Sequence, residues 1–349
     1  MKQKKAIVFF SAGLGDAVLL IPLIKSLKER GFHVTGFFNS VHPCEEIFSR
    51  ITLLDDIVVC KNKNKQALFS LAHLFKFDAA FVNYFASNRK NMLTACLLAQ
   101  EVFTNRKVNS WLLDFFRSKI KYTEPIPDIH DAEQNLHLTG KQVPKVSLQD
   151  FHIDFNPVKR PELPDSFIAV QVSAGNNKIT YKNWPVKNWI EFLKLLLQNY
   201  PEKKIVLLGD ANEVILSEQI TTELKTNVYS FIGKTNVSEA MNILSQSEFF
   251  IGLDGGLMHL AVALKKPTFT IWGPSSIILY GYDQFNAAVH KCVHLLLSCN
   301  PCSAWINPNH SKAKNPESCP DHVCLMQLQP QEVFTHFKQY VNSLPANAW

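Results

Sequence analysis

The stretch from residue 248 to 276, EFFIGLDGGLMHLAVALKKPTFTIWGPSS, constrains the fold more than any other part of the chain. An apolar run of strand length ends at Asp254 and a glycine pair, and apolar residues then recur at helical spacing until Pro267. Another apolar strand covers 269–272. The pattern predicts strand, glycine turn, helix and strand, a unit of parallel sheets whose turns lie at the carboxyl edge, where ligands bind.

The turn of this unit brings together an acid, two glycines and a histidine, namely Asp254, Gly255, Gly256 and His259. Glycine lets a backbone approach a ligand closely, and the NH groups of a helix start favour phosphate. Each residue also has an ordinary structural interpretation, Asp254 as an N-cap and His259 as a core or surface histidine. Their combination at a strand-to-helix turn favours a phosphate site.

Strands alternate with helices in two successive halves, which the proline-rich segment at 157–164 separates. The alternation predicts two α/β domains with mostly parallel sheets, at 1–156 and 165–330, and a cleft between them. The segment 331–349 is predicted to contain a helix that packs back on the first domain.

The pattern is hardest to interpret between residues 101 and 150. Three aromatic side chains there, Trp111, Phe115 and Phe116, are interpreted as core residues, with a surface for a partner or acceptor as the alternative.

In the first half, the loop SAGLGD follows the first strand and contains Gly13, Gly15 and Asp16. It matches neither the G-x-G-x-x-G dinucleotide pattern nor the P-loop, so a dinucleotide site is weakly supported. Asp16 lies at the start of a helix, where it is either a capping carboxylate or a general base.

Polar segments also follow the strands of the second half. Lys182 precedes Trp-Pro at a helix start and can place a positive charge on phosphate, whereas a solvated surface lysine is the ordinary alternative. Glu213 can hydrogen-bond a ribose. The segments of Gly175, Glu213, Thr235 and Asp254 are expected to line one sheet edge, which predicts a nucleotide site.

Composition limits the classes of partner. The net charge of +6 slightly favours anionic ligands or an anionic membrane face, and no basic helix or aromatic-basic module indicates nucleic acid. No apolar run approaches the roughly 20 residues of a membrane-spanning helix. The opening MKQKKAIVFF is interpreted as a first strand and not as a signal peptide, so a cytoplasmic protein is expected.

Four of the eight cysteines cluster late in the chain, as Cys299, Cys302, Cys319 and Cys324. Their C-x2-C and C-x4-C spacings are typical of structural metal sites, and a reducing compartment disfavours disulfides. Reduced thiols packed in a proline-rich segment are the alternative.

Taken in order, these motifs resemble those of glycosyltransferase family 9, the bacterial ADP-heptose:lipopolysaccharide heptosyltransferases. The resemblance covers nearly the whole chain and rests on GLGDAVLLIPLIKSLKER, KNWP, LLGDANE, GLDGGLMHLAVALKKPTFTIWGPSS and the cysteine-bearing end. It implies a GT-B fold, with two Rossmann-like domains facing a central cleft. It also implies transfer of heptose from ADP-heptose to a Kdo or heptose hydroxyl of the lipopolysaccharide inner core, by a cytoplasmic enzyme with peripheral contact to the inner membrane.

The resemblance further implies residue roles. Asp16 is the implied base and Lys182 the diphosphate contact. Glu213 corresponds to the ribose contact and Thr235 to the adenine segment, while Gly255 stands where many relatives carry Thr or Ser. The implied donor-binding set is Gly13, Gly15, Ser173, Gly175, Lys182, Glu213, Thr235, Asp254, Gly255, Gly256, Leu257 and His259.

The implied reaction inverts configuration and needs no cofactor, and no Asp-x-Asp pair stands at a strand end to hold a divalent ion. Some relatives that heptosylate autotransporter proteins have a similar cysteine-rich end that binds iron, so a protein acceptor and a structural Zn or Fe stay open. A non-catalytic nucleotide-sugar-binding protein is a further alternative, which the retained Asp16 disfavours. The missing G-x-G-x-x-G disfavours a nicotinamide-dependent oxidoreductase.

Overall fold

The computed structural model describes residues 3–142, 144–174, 180–302, 319 and 321–344. The chain divides into two compact units, Met1–Phe151 and His152–Trp349. Each unit is built on a six-stranded parallel sheet. This arrangement confirms the predicted α/β class.

The sheet of the first unit has the strand order β3-β2-β1-β4-β5-β6, which is the Rossmann order. Its central strands are apolar almost throughout because helices cover both faces of a parallel sheet. The strands are β1 (Lys5–Phe10), β2 (His33–Phe38), β3 (Asp56–Val59), β4 (Phe77–Val82), β5 (Ala99–Thr104) and β6 (Ile120–Tyr122).

Six helices of the first unit lie between these strands, and α7 and α8 follow β6. The helices of this unit are α1 (Leu14–Val18), α2 (Ile21–Glu29), α3 (Glu45–Phe48), α4 (Lys63–Ala72), α5 (Arg89–Leu98), α6 (Trp111–Asp114), α7 (Asp131–His137) and α8 (Leu148–Phe151), with a 3-10 turn at Arg117–Lys119.

The helix that the sequence predicts at Asp16 is followed directly by a second helix. α1 ends at Val18 and α2 begins at Ile21. Pro22 at the second position of α2 has no NH group to continue the hydrogen bonds of α1, so a helix boundary forms there.

The second unit repeats the same topology with the order β9-β8-β7-β10-β11-β12. In both sheets the order reverses between the first and fourth strands, and ligands bind at the carboxyl ends of strands at such a switch point. The strands are β7 (Ile168–Val170), β8 (Ile205–Leu207), β9 (Val228–Ser230), β10 (Phe249–Leu253), β11 (Thr268–Ile271) and β12 (His290–Val293).

The helices of the second unit cover its sheet. They are α9 (Val186–Asn199), α10 (Val214–Leu224), α11 (Val237–Gln246), α12 (Gly256–Ala263), α13 (Ile277–Tyr280), α14 (Asp283–Asn286), α15 (Val323–Met326) and α16 (Pro330–Ser343), with 3-10 turns at Thr180–Lys182 and Ala211–Glu213.

The C-terminal helix α16 packs within the second unit. Its fully buried Phe337 lies against Phe192, Phe249 and Phe269, with ring centroids 5.8, 6.1 and 5.2 Å apart. These contacts place the apolar side of α16 in the core of the second unit, and packing of the helix on the first domain stays a prediction. The side chains of α9, β10 and β11 offer the aromatic surface that covers this apolar side.

Between β5 and β6, two of the three aromatic side chains interpreted as core residues are exposed. Trp111 is 71% exposed and Phe115 is 76% exposed, and their rings meet edge to face at 6.2 Å. Only Phe116 packs against the core of the first unit. The four-residue α6 is too short to bury all three aromatic side chains against the sheet. Throughout the described part of the chain, no helix is both long and apolar enough to cross a membrane.

Candidate active site

The turn between β10 and α12 carries a buried ion pair. The Nζ atom of Lys182 donates to Oδ2 of Asp254 at 2.6 Å, and both side chains are largely shielded from solvent. Burial by itself would raise the pKa of Asp254, but the Lys182 charge, the hydrogen bond from Lys182 and one from Ser275 hold that pKa below its usual value. Asp254 is therefore an anion that keeps the Lys182 ammonium at the start of α12.

The start of α12 has no side-chain cap. Gly255 is its N-cap residue and has no side chain with which to accept hydrogen bonds from the first turn. The NH groups of a helix start and the positive end of the helix dipole attract anions. Together with the neighbouring Lys182, they form a site whose chemistry suits a phosphate or diphosphate group.

His259 lies in the same helix and is almost fully buried. Its Nδ1 atom is 2.8 Å from the hydroxyl oxygen of Tyr282. Burial lowers the pKa of His259 to about 4, against an opposing effect of the Asp254 charge. The imidazole is thus neutral near pH 7, where it ties α12 to Tyr282 without adding charge.

A second buried carboxyl group follows β8. Glu213 is 3% exposed. Its carboxyl group lies against the backbone of Gly209, where an added Cβ atom would be 2.1 Å from Oε2. Glycine is therefore needed at position 209. Burial and then the Asp210 charge raise the pKa of Glu213 to about 8, although a hydrogen bond from Ser173 lowers it. A protonated carboxyl group can both donate to and accept from a hydroxyl.

The second unit brings most of the predicted donor-binding residues to one edge of its sheet. Ser173, Glu213, Thr235 and Asp254 follow β7, β8, β9 and β10, which are consecutive in the sheet. Ser173 is buried, whereas Thr235 is half-buried beside the N-cap of α11. Gly175 lies outside the described residues. Gly256 and Leu257 form the first turn of α12.

In the first unit, Asp16 lies in α1 and is half-buried. Its Oδ2 atom accepts a hydrogen bond from the Gly13 NH group at 2.8 Å, so the carboxylate caps the start of its own helix. Gly15 lies in the first turn of α1. A small cavity beside this turn is lined by Ser11, Ala12, Gly13, Asp16, Cys44 and Asn83, among others.

Sequence reasoning missed a second acid next to Asp16. Asp131, the first residue of α7, is 1% exposed and accepts a hydrogen bond from Asn135 at 3.2 Å. Burial and then the Asp16 charge raise the pKa of Asp131 to about 8. In the sequence Asp131 is indistinguishable from an ordinary first-turn acid, and it lies more than a hundred residues from Asp16.

The four late cysteines lie in one neighbourhood. Burial, followed by the charges of Cys302, Cys319 and Cys299, raises the pKa of the Cys324 thiol to about 11. Cys299 is exposed and the other three thiols are half-buried. Even so, no group of three or more His, Cys, Asp or Glu side chains could hold a metal ion within the described ranges.

The model of glycosyltransferase family 9 (heptosyltransferase) matches residues 116–310, which is more than half of the chain. Lipooligosaccharide heptosyltransferase 2 of Campylobacter jejuni is 24% identical over 97% of this chain and 99% of its own length.

Solved structures also resemble the chain. E. coli ADP-heptose lps heptosyltransferase II has a TM-score of 0.68 at 17% identity, covering 97% of this chain and 98% of its own. TibC, an iron-containing dodecameric glycosyltransferase of enterotoxigenic E. coli, has a TM-score of 0.60 at 13% identity, covering 99% of this chain and 77% of its own. These likenesses confirm the GT-B fold.

Proposed function

The chain belongs to glycosyltransferase family 9 (heptosyltransferase), and we propose that it transfers heptose from ADP-heptose to a hydroxyl of a lipopolysaccharide core acceptor. The single observation that carries the donor assignment is Lys182, held by Asp254 beside the uncapped start of α12. An ammonium and a set of helix NH groups are the chemistry that a diphosphate requires. The assignment of sugar and acceptor is supported by two relatives. One is named a lipooligosaccharide heptosyltransferase, and the other an ADP-heptose lps heptosyltransferase.

The donor is proposed to lie along the carboxyl edge of the second sheet. Its diphosphate binds Lys182 and the first NH groups of α12, while the ribose hydroxyls meet the Glu213 carboxyl group. Thr235 lies next to the base. The buried position of Glu213 supports this role, because a buried carboxyl group gains free energy when a ligand hydroxyl pairs with it.

Asp16 of the first unit is proposed as the general base. It removes the proton of the acceptor hydroxyl as that oxygen attacks the anomeric carbon from the face opposite the diphosphate. The new C–O bond forms as the bond to the diphosphate oxygen breaks, which inverts configuration. The leaving diphosphate gains negative charge, and Lys182 together with the helix NH groups stabilises it electrostatically, without a divalent ion in the proposed scheme.

Calorimetric titration of the purified protein with ADP, UDP and GDP tests the donor site. We expect selective ADP binding, and we expect Lys182→Met to weaken it by about 10- to 100-fold because a charge-assisted phosphate contact is lost. The exposed Lys187→Met in α9 is the control and should bind ADP like wild type. Absence of nucleotide binding, or equal affinity of Lys182→Met and wild type, would remove the proposed site.

A protein acceptor is the second candidate function. The four neighbouring thiols of this chain and its likeness to the iron-containing TibC favour it. Assays with Kdo-bearing lipid A and with a purified autotransporter passenger, under identical donor conditions, separate the two acceptor classes. Turnover on the protein alone would replace the lipopolysaccharide assignment.

The same four thiols are proposed to bind a structural metal ion, zinc or iron, apart from catalysis. The proposal rests on the C-x2-C and C-x4-C spacings and on the closeness of the four thiols, which in their described arrangement do not form a metal-binding group, so a bound ion would have to draw them together. Metal analysis of wild type and of Cys302→Ser/Cys324→Ser tests it. A metal content near zero in wild type purified without chelator contradicts it, as does equal content in both proteins.

Peripheral contact with the inner membrane from its cytoplasmic side is proposed for the first unit. The exposed Trp111–Phe115 pair and the exposed Arg117 that follows it support this contact. Aromatic side chains enter the interfacial region of a bilayer, and basic side chains bind anionic headgroups.

A further inference from the structure

Gln171 is a buried polar residue to which the proposed reaction assigns no role. Its side chain is only 4% exposed, and its Oε1 atom has no hydrogen-bond partner among the residues that the structure describes. Buried carboxamides normally pair both ends, because an unpaired buried acceptor costs free energy. The Gln171 carboxamide is therefore suited to a ligand that supplies the missing partner.

The carboxamide lies directly over the start of α12. A Cβ atom added to Gly255 would lie 3.2 Å from Oε1, 3.4 Å from Nε2 and 3.6 Å from Cδ of Gln171. These three similar distances place the carboxamide group across the space that any larger N-cap side chain would occupy. Glycine at position 255 thus leaves room for Gln171 at a helix start that no side chain caps.

Strand pairing holds Gln171 in this position. It follows β7 directly, and its NH group donates to the Ile251 carbonyl of β10 at 2.9 Å. β7 and β10 are the neighbouring strands between which the sheet order reverses. Gln171 and Gly255 therefore lie at the switch point, where a ligand is bound in sheets of this topology.

We propose that Gln171 is a donor-binding residue. Its NH2 group donates to a phosphoryl oxygen held at the start of α12, and its Oε1 atom accepts from a hydroxyl of the same sugar nucleotide. The assignment rests on the proposed function, because it requires a sugar diphosphate at this helix. Lys182 supplies charge there, whereas a carboxamide supplies both N–H donors and an acceptor oxygen, which neither an ammonium nor a carboxylate can do.

Calorimetric titration of Gln171→Met and Gln171→Glu with ADP and with ADP-heptose tests the proposal. Methionine keeps the length of the side chain and removes its hydrogen bonds, so we expect affinity for both ligands to fall about 10-fold. Glutamate places a negative charge against the diphosphate, so we expect a larger loss.

Gln66→Met is the matched control. Gln66 lies in α4 of the first unit, is 1% exposed and also has an Oε1 atom without a partner in the described ranges. Its side chain contacts Thr94 and not the candidate site. We expect this variant to lose thermal stability while it binds both ligands as tightly as wild type.

The possible results distinguish failure of the proposed function from failure of the Gln171 assignment. If wild type binds neither ligand, the proposed function fails and Gln171 loses its role with it. If wild type binds and both Gln171 variants bind equally well, the inference is overturned while the donor site stands. Should the Gln171 variants unfold, Gly255→Ala gives a second measurement. Its new Cβ would lie 3.2 Å from Oε1 of Gln171 and crowd the carboxamide, so weaker binding is expected and unchanged affinity contradicts the inference.

Discussion

Asp16 has two interpretations, as a helix cap and as a general base, and the structure shows the first while the second stays a prediction. Its carboxylate caps α1 by accepting from the Gly13 NH group, and it borders a small cavity. A cap needs only an acceptor oxygen, whereas a base needs an oxygen that takes a proton. A substitution that keeps the first property and removes the second separates the two roles.

Asp16→Asn makes that separation. The asparagine carbonyl oxygen still accepts from Gly13, so we expect an unchanged melting temperature and ADP affinity. Turnover should fall by about 100- to 10,000-fold, the usual contribution of a general base. Initial rates with ADP-heptose and acceptor, together with ADP titration, measure this. Activity within a few-fold of wild type would contradict the assignment of Asp16 as the base. A loss of ADP affinity as large as the loss of turnover would contradict it too.

Asp131 predicts a pH dependence of stability. Its pKa of about 8 in the folded state lies well above the usual carboxyl value, so the folded state binds this proton more tightly than the unfolded chain. Its favourable contribution is complete below about pH 4 and is lost as pH rises towards 8. Each pH unit in that interval costs on the order of 1 kcal/mol.

Asp131→Asn should abolish that dependence. Urea unfolding at pH 5, 6.5 and 8 is expected to show wild type losing stability relative to Asp131→Asn as pH rises. The exposed Asp114→Asn is the control and should follow wild type at every pH. Parallel stability curves for wild type and Asp131→Asn would mean that Asp131 is ionised in the folded protein.

At the scale of elements, α16 is part of the core of the second unit and not an appendage. Phe337 is fully buried among aromatic rings of α9, β10 and β11. Phe337→Ala should therefore lower the free energy of unfolding of this unit by about 3–5 kcal/mol through lost burial and cavity formation.

Urea unfolding followed by tryptophan fluorescence measures this loss. The control is Gln339→Ala on the exposed side of the same helix, which should change stability by less than about 0.5 kcal/mol. Equal, small effects of the two substitutions would show that α16 is held loosely.

At the scale of the whole molecule, the Trp111–Phe115 pair predicts binding to anionic bilayers. Trp111→Ser/Phe115→Ser should reduce co-sedimentation with vesicles of phosphatidylethanolamine and phosphatidylglycerol several-fold, because the side chains that enter the interface are lost. Ile215→Ser removes another apolar side chain, 70% exposed, from the second unit and should bind like wild type. If wild type does not sediment with these vesicles, the proposed contact is wrong.

Local sequence patterns predict the class of fold and the strand-turn-helix-strand unit around Asp254. The alternation of strands and helices that predicts two parallel sheets is confirmed, and the apolar run that ends at Asp254 is β10. These features depend on apolar periodicity and helix or turn signals among near neighbours in the chain. The glycine turn at Asp254 was visible for the same reason.

Which distant side chains lie close together depends on long-range packing and could not be predicted from local sequence patterns. The Asp16–Asp131 pair, the carboxamide of Gln171 over Gly255 and the exposure of Trp111 have no local signature. Each depends on strand order and on how a crossover covers its sheet. Local periodicity indicates that a residue lies on an apolar face, but the partner of that face is set by packing between segments far apart in sequence.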